Sequence, residues 1–330
     1  METGFSQKHA SGMFALILGV IVVMSFVVVI VVESANLDIN NFWVGAGFGF
    51  VQYMLFFAVF VFLCIKSGVL NKQNNSHLFH QLWLRAHSIH HENRIVVKKS
   101  GKRIFSKDVL VLLLLTAICL VGFILFTGLI VDLFIYFGYT QPSVAPELNS
   151  FAKYLTAIVV MAVMPAIIEE LIFRGVILRG FLKYGTVAAV IISSVLFSLF
   201  HLSPAQTVYQ LVLGIVLALV VLKTGKLMYA IIIHFINNFL IITYIYVFGD
   251  LHVAMNWGVG TVLLAIGLAV VSCVAIYETI KVLGATSSNI EKEGVCTITN
   301  KREKFFSLDN IGLFMCVMVA GLIWIVAFIG

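Results

Sequence analysis

The sequence predicts an all-α, polytopic membrane helical bundle of about nine transmembrane helices, and three observations carry that prediction. Of the 330 residues, 61% are hydrophobic. Only 11% are charged, against about 25% in an ordinary soluble domain. The apolar residues also fall in continuous runs, near 13–33, 43–65, 109–136, 152–178, 187–202, 207–222, 227–248, 257–280 and 310–329. About 20 such residues in a helix cross a hydrocarbon core of about 30 Å, so nine runs predict nine spans, with the fifth and sixth short. A closed β-barrel would need strands of about ten residues with alternating polarity, and these Leu, Ile, Val and Phe runs do not alternate.

The first run, 13–33, is too long for the apolar region of a secretory signal and has no small-residue cleavage site behind it, so it reads as a retained helix. The second, 43–65, leads into the largest polar excursion, residues 66–108. Residues 1–108 therefore read as two spans and a basic loop, 109–250 as a five-span core, and 251–330 as two further spans with their loop. If the nine spans alternate, segments 1–12, 66–108, 174–186, 223–226 and 281–309 share one side of the membrane, and they hold 20 of the 21 Lys and Arg. Lys153 alone falls on the other side. By the positive-inside rule the amino terminus is cytoplasmic and the carboxyl terminus outside, which makes the chain an integral, multi-pass cell-membrane protein. The net charge of +6 is then a topological signal and no nucleic-acid footprint. The same basic loops attract anionic lipid headgroups, at about 1 kcal/mol per residue near the surface. Cys64, Cys119, Cys273 and Cys316 sit within spans and Cys296 in a loop, with no CxxC spacing, so neither a disulfide framework nor a cysteine metal site is expected.

Against this apolar background the stretch AVMPAIIEELIFRGVIL, residues 162–178, is anomalous. An ionisable group at membrane depth costs at least about 2.5–3.5 kcal/mol, and such groups are rare and usually functional. Glu170 and Arg174 are four apart, on one helical face and within reach of each other. Glu169 lies about 100° round the helix from Glu170 and is left without an obvious partner. Pro165 cannot donate to the carbonyl of Met161, so the helix should bend where the acids enter.

Three other spans carry polar groups at intervals of four. Phe197 and His201 share a face, with Pro204 ending that helix. Gln210 and Gly214 share a face, and Gly214 lets a neighbouring backbone approach closely. His234 and Asn238 share a face, with Asn237 turned aside. If the cytoplasmic turn after the fourth span lies near residue 183, Glu169 and His201 differ in depth by only about 6 Å at about 1.5 Å per residue. His234 and Asn238 lie about 12 and 18 Å in from Lys226 by the same rise. One carboxylate, two imidazoles and an amide can thus converge, which is an inventory for peptide-bond hydrolysis. A base takes a proton from water, and donors hold the oxyanion that forms on the scissile carbonyl. Ser193, Ser194 and Ser198 lack any nucleophile motif, so no covalent step is called for.

Glu169-Glu170-Leu171-Ile172-Phe173-Arg174 is an EExxxR motif, Phe197 to His201 is FxxxH, and His234 to Asn238 is HxxxN. In that order, on separate apolar helices, they resemble the CAAX-processing endopeptidase and bacteriocin-processing family, often called CPBP or Abi. The similarity covers roughly residues 110–250. It implies a glutamate-dependent, metal-independent intramembrane endopeptidase with an all-helical core and a cavity reached from the cytoplasm. Carried over by position, Glu169 is the general base, His201 its partner on the water, His234 and Asn238 the oxyanion stabilisers, and Glu170 and Arg174 supporting residues. No cofactor is implied. One alternative is a zinc enzyme using His201, His234 and a glutamate, although there is no HExxH. Another is a non-catalytic scaffold, regulator or bacteriocin-immunity protein on the same fold, binding a membrane-protein partner.

The implied substrate is a membrane-associated or lipid-anchored peptide: a prenylated carboxyl-terminal tail or, in bacteria, a peptide precursor, pheromone or bacteriocin-related target. The family's breadth favours the bacterial setting. The spans at 13–33 and 43–65, loop 66–108 and the spans after residue 250 lie outside the motifs and are read as setting substrate choice. Loop residues His77, His80, His87, His90 and His91 sit at intervals of three and four. They fit either an amphipathic helix lying on the membrane through Leu78, Phe79, Leu82, Trp83 and Leu84, or metal ligation, and the surface helix is favoured because no Cys or acidic cluster completes a site. The charge partition makes a direct prediction. In a cysteine-free background, external labelling of sealed cells modifies a cysteine at Asn40 or Asp250 and misses one at Lys99 or Lys301, and labelling at Lys99 would reverse the orientation.

Overall fold

The computed structural model describes residues 5–38, 40–67, 106–140, 146–249, 257–287 and 311–329. The loop histidines 77–91, together with Lys99, Asp250, Cys296 and Lys301, lie outside the described residues. Among the described residues there are nine helices and no strand. They are α1 (Gln7–Ser34), α2 (Phe42–Lys66), α3 (Ser106–Tyr136), α4 (Phe151–Tyr184), α5 (Thr186–Phe200), α6 (Pro204–Thr224), α7 (Leu227–Phe248), α8 (Val259–Ser287) and α9 (Ile311–Ile329). Seven of the nine are long and apolar enough to cross a membrane. The sixth, expected to be short, runs to 21 residues because Pro204 starts it at its first turn and Gly225, at φ +66°, closes it in a left-handed cap. The fifth is short as expected, at 15 residues, or about 22 Å of rise.

The polarity of the bundle is inverted relative to a soluble protein. Large apolar side chains point outward, among them Phe26, Leu110, Val271 and Met318, each more than 60% exposed, while Glu170 and Arg174 are 0% and 1% exposed. Lipid is as apolar as leucine, so helix association depends on close packing and buried polar contacts. Close packing is visible at two crossings. A Cβ on Gly214 of α6 would sit 3.1 Å from Ser194 Cα of α5. A Cβ on Gly122 of α3 would sit 2.4 Å from Ser272 Cβ of α8, nearer than two carbons can pack, so that crossing requires glycine.

Helix α4 is the axis. Its most apolar window is 61% buried, against 22–39% for the other long spans. It packs on α1, α2, α5, α6 and α7. It is also irregular: α-helical turns Phe151–Ala157, Met164–Glu170 and Leu178–Phe181 alternate with wide π turns Ile158–Val163 and Leu171–Ile177, and a 3-10 turn Leu182–Tyr184 ends it. Pro165 explains the first widening, because its ring opposes the carbonyl four residues back and it has no N–H to give. That carbonyl, on Met161, instead accepts from Asn238 Nδ2 of α7 at 3.1 Å. Both acids therefore leave the helix between two π turns, a backbone irregularity frequent at functional sites.

Gly122→Ala should destabilise the bundle by about 1–3 kcal/mol, the usual cost of overpacking. Ser272→Gly in the same chain should recover the part due to the contact. Thermal unfolding in detergent measures both, and a Gly122→Ala protein as stable as wild type would disprove the tight α3–α8 crossing.

Candidate active site

Five helices contribute to one buried cluster, α2, α4, α5 and α7 through side chains and α6 through the Gly214 carbonyl. Glu170 is its anchor. Its Oε1 accepts from Arg174 at 2.8 Å and from His234 Nδ1 at 2.8 Å. Arg174 is used on three sides, because its second terminal nitrogen donates to the Gly214 carbonyl at 3.1 Å and its guanidinium lies 4.4 Å from the centre of the Phe197 ring. Arginine suits this place, since a planar fork can bond two acceptors and stack on a ring at once.

Glu169 points elsewhere, as its angle on the helix requires. Its Oε1 accepts from the Tyr53 hydroxyl at 2.7 Å. Its Oε2 is buried, has no hydrogen-bond partner among the described residues, and lies 4.0 Å from His201 Nε2 and 3.9 Å from His234 Nε2. The two imidazoles are oriented by their other nitrogens. His201, just past the end of α5, places Nδ1 2.8 Å from the Phe197 carbonyl. A carbonyl only accepts, so Nδ1 carries the hydrogen and Nε2 of the neutral ring presents a lone pair toward Glu169. The Glu170 carboxylate sets His234 Nδ1 as a donor in the same way. The four-residue spacing of Phe197 and His201 thus has a local cause: the carbonyl four back in the helix is the one the imidazole reaches. The Phe197 ring also packs edge-on against Phe173, His201 and His234 at 5.1, 5.0 and 5.8 Å between centroids.

On α7 the two asparagines act together. Asn237, expected to turn aside, is buried at 1% exposure; its Oδ1 accepts from the Tyr209 hydroxyl of α6 and its Nδ2 donates to Asn238 Oδ1 at 3.0 Å. Asn238 Nδ2 uses one hydrogen on the Met161 carbonyl, which leaves one. Glu169, Glu170, Arg174, His201 and His234 are thus joined by direct contacts of 4.0 Å or less, while Asn238 belongs to a neighbouring polar chain that meets the same helix at its π turn.

Sequence reasoning did not identify Tyr53, Tyr209 or the role of Asn237. Gln52-Tyr53 is a polar pair inside the second apolar run, and that was the available signal. The spacing of zinc ligands gives a geometric test of the metal alternative. Adjacent ligands of a tetrahedral zinc with bonds of about 2.0–2.1 Å lie roughly 3.4 Å apart, closer than the 3.9 and 4.0 Å found here. Among the described residues no group of three or more His, Cys, Asp or Glu side chains has metal-holding geometry.

Two buried charges in contact make the Arg174 position sensitive. Arg174→Ala should cost about 3–5 kcal/mol, the range for breaking a buried pair, and Arg174→Lys should recover only part of it, since an ammonium cannot bond Glu170, bond Gly214 and stack on Phe197 together. Chemical denaturation in detergent reads both, and a lysine variant as stable as wild type would refute the three-sided role.

Residues 151–240 match a family model, Rce1-like, described as type II CAAX prenyl endopeptidase Rce1-like. No curated protein and no solved structure matches the chain. The matched segment runs from the start of α4 into α7 and contains Glu169, Glu170, Arg174, Phe197, His201, His234 and Asn238, whereas α1, α2, α3, α8 and α9 lie outside it. Set inside a multi-pass membrane bundle, residues 151–240 are therefore similar to the type II CAAX prenyl endopeptidases that this family model describes, and all the motif residues of the cluster fall within that similarity.

Proposed function

We propose that the chain is an intramembrane endopeptidase that cleaves a membrane-associated or lipid-anchored peptide through a water activated by Glu169. The observation that carries this reading is the convergence of His201 Nε2 and His234 Nε2 on the one unshared oxygen of Glu169, at 4.0 and 3.9 Å, in a bundle whose exterior is apolar. Atoms 4.0 Å apart are bridged by one water with two hydrogen bonds of about 2.8 Å.

The chemistry follows from the donors and acceptors. Water gives a proton to Glu169 Oε2 and a hydrogen bond to His201 Nε2, and its oxygen attacks the scissile carbonyl. Two carboxylates against one guanidinium leave one negative charge in the cluster. In the form that carries a hydrogen on both ring nitrogens, His234 is held by Glu170 through Nδ1 and offers Nε2–H to the substrate. His234 Nε2–H and the remaining N–H of Asn238 then stabilise the oxyanion. Glu169 returns its proton to the leaving amine as the C–N bond breaks, which restores the carboxylate and releases the two peptide fragments.

The matched family model names prenyl CAAX endopeptidases, which supports a prenylated carboxyl-terminal tail as the substrate. The charge partition supports a cytoplasmic amino terminus, an external carboxyl terminus and access from the cytoplasm. The metal-free form of the mechanism is supported by the wide nitrogen–oxygen separations and by the commitment of Glu170 to Arg174 and His234.

Purified protein in liposomes, assayed on a quenched fluorescent peptide with a prenylated CAAX tail, tests the reading. Glu169→Gln should abolish turnover at unchanged insertion and thermal stability, because the amide keeps the shape and cannot take the proton. Asn238→Ala should lose about 10²–10³ in rate, the usual effect of deleting one oxyanion donor. Phenanthroline should leave the wild type active. A Glu169→Gln protein with normal turnover would leave the scaffold reading. Stoichiometric zinc that disappears in His201→Ala, with chelator-sensitive activity, would establish the zinc mechanism instead.

A further inference from the structure

We propose that Tyr53 of α2 is a positioning residue of this peptidase: its phenol locks the Glu169 carboxylate so that only Oε2 faces the two imidazoles. The inference rests on the reading of Glu169 as the base. Tyr53 lies 116 residues before Glu169 in sequence and outside the matched segment 151–240, yet its hydroxyl donates to Glu169 Oε1 at 2.7 Å. The terminal torsion of a glutamate is broad and roughly two-fold, so an unrestrained carboxylate exchanges its two oxygens. Glu170 is held by Arg174 and His234. Glu169 has Tyr53 as its hydrogen-bond donor among the described residues. An O–H bond to a carboxylate is charge-assisted, hence short and directional, and it leaves the second oxygen for the reaction.

The rest of α2 is built to hold the phenol there. Gly49 stands one turn before Tyr53 on the same face, and a Cβ at Gly49 would lie 3.2 Å from Val160 Cγ1 of α4, so glycine lets the two helices approach. Phe56, fully buried, packs edge-on against Tyr53 at 5.7 Å and tilted against Phe200 at 5.4 Å, and Phe200 lies 5.5 Å from His201. One helix therefore braces both the acid and the imidazole assigned to the same water. Positioning to a fraction of an ångström is what a base of this kind needs.

The test uses the full chain in liposomes and the quenched prenylated CAAX peptide. Tyr53→Phe removes one oxygen and keeps the ring packing, so thermal stability and KM should stay within about twofold while kcat falls about 10- to 100-fold, the scale of one hydrogen bond to a charged group. Gly49→Val should lower kcat in the same sense by moving α2 off Val160, and should add nothing to Tyr53→Phe, because both act through one contact. Unchanged kcat in Tyr53→Phe, beside an inactive Glu169→Gln, would overturn this inference and leave the function standing. Fully additive losses in the double variant would also overturn it. Normal turnover by Glu169→Gln would remove the base itself, and the positioning role with it.

Discussion

The ion pair between Glu170 and Arg174 is the constraint on which the other polar contacts depend. Taking either charge out of water costs several kcal/mol even after relaxation, and a 2.8 Å contact offsets this only when the remaining donors and acceptors are also used. Arg174 meets that condition in part through the Gly214 carbonyl and the Phe197 ring, and Glu170 through His234, while Arg174 Nε and Glu170 Oε2 have no hydrogen-bond partner among the described residues. Those partners lie on α6, α5 and α7. One pair on α4 therefore sets the register of three neighbouring helices, and the positions of His201 and His234 relative to Glu169 follow from it.

A membrane bundle has little hydrophobic force to sort its helices, and the two devices that replace it are both concentrated here. Small residues bring backbones close, as where Gly214 meets Ser194, and a close backbone is what places the Gly214 carbonyl within reach of Arg174. Irregular backbone is tolerated where another group satisfies it. The Met161 carbonyl, opposed by the Pro165 ring, is satisfied by Asn238, so a side chain proposed for catalysis also closes a gap in the main chain. The Tyr209–Asn237–Asn238 chain extends that support to α6.

The two imidazoles show how neighbours differentiate identical groups. Both direct Nε2 at Glu169 Oε2, but one is backed by a neutral carbonyl and the other by a carboxylate that already holds an arginine. A carboxylate is a stronger acceptor for a ring N–H than a neutral carbonyl. The proposed division into a water-binding histidine and an oxyanion-stabilising histidine comes from this asymmetry, and the aromatic group around Phe197 holds both rings against it.

Periodicity and length alone determined the all-helical class, the positions of the spans and the pairing of Glu170 with Arg174, because a helix repeat of 3.6 residues makes groups four apart neighbours whatever surrounds them. The intervals from Phe197 to His201 and from His234 to Asn238 were legible for the same reason. Span boundaries were less legible: the sixth helix proved longer than its most apolar run, since Pro204 and Gly225 set its ends and hydropathy does not record caps. Contacts between distant helices were decided only by tertiary structure. That Tyr53 reaches Glu169, that Asn237 turns inward to Tyr209, and that Asn238 replaces the hydrogen bond lost at Pro165 depend on the rotation and spacing of whole helices about their axes. The π turns of α4 change that rotation midway along the chain.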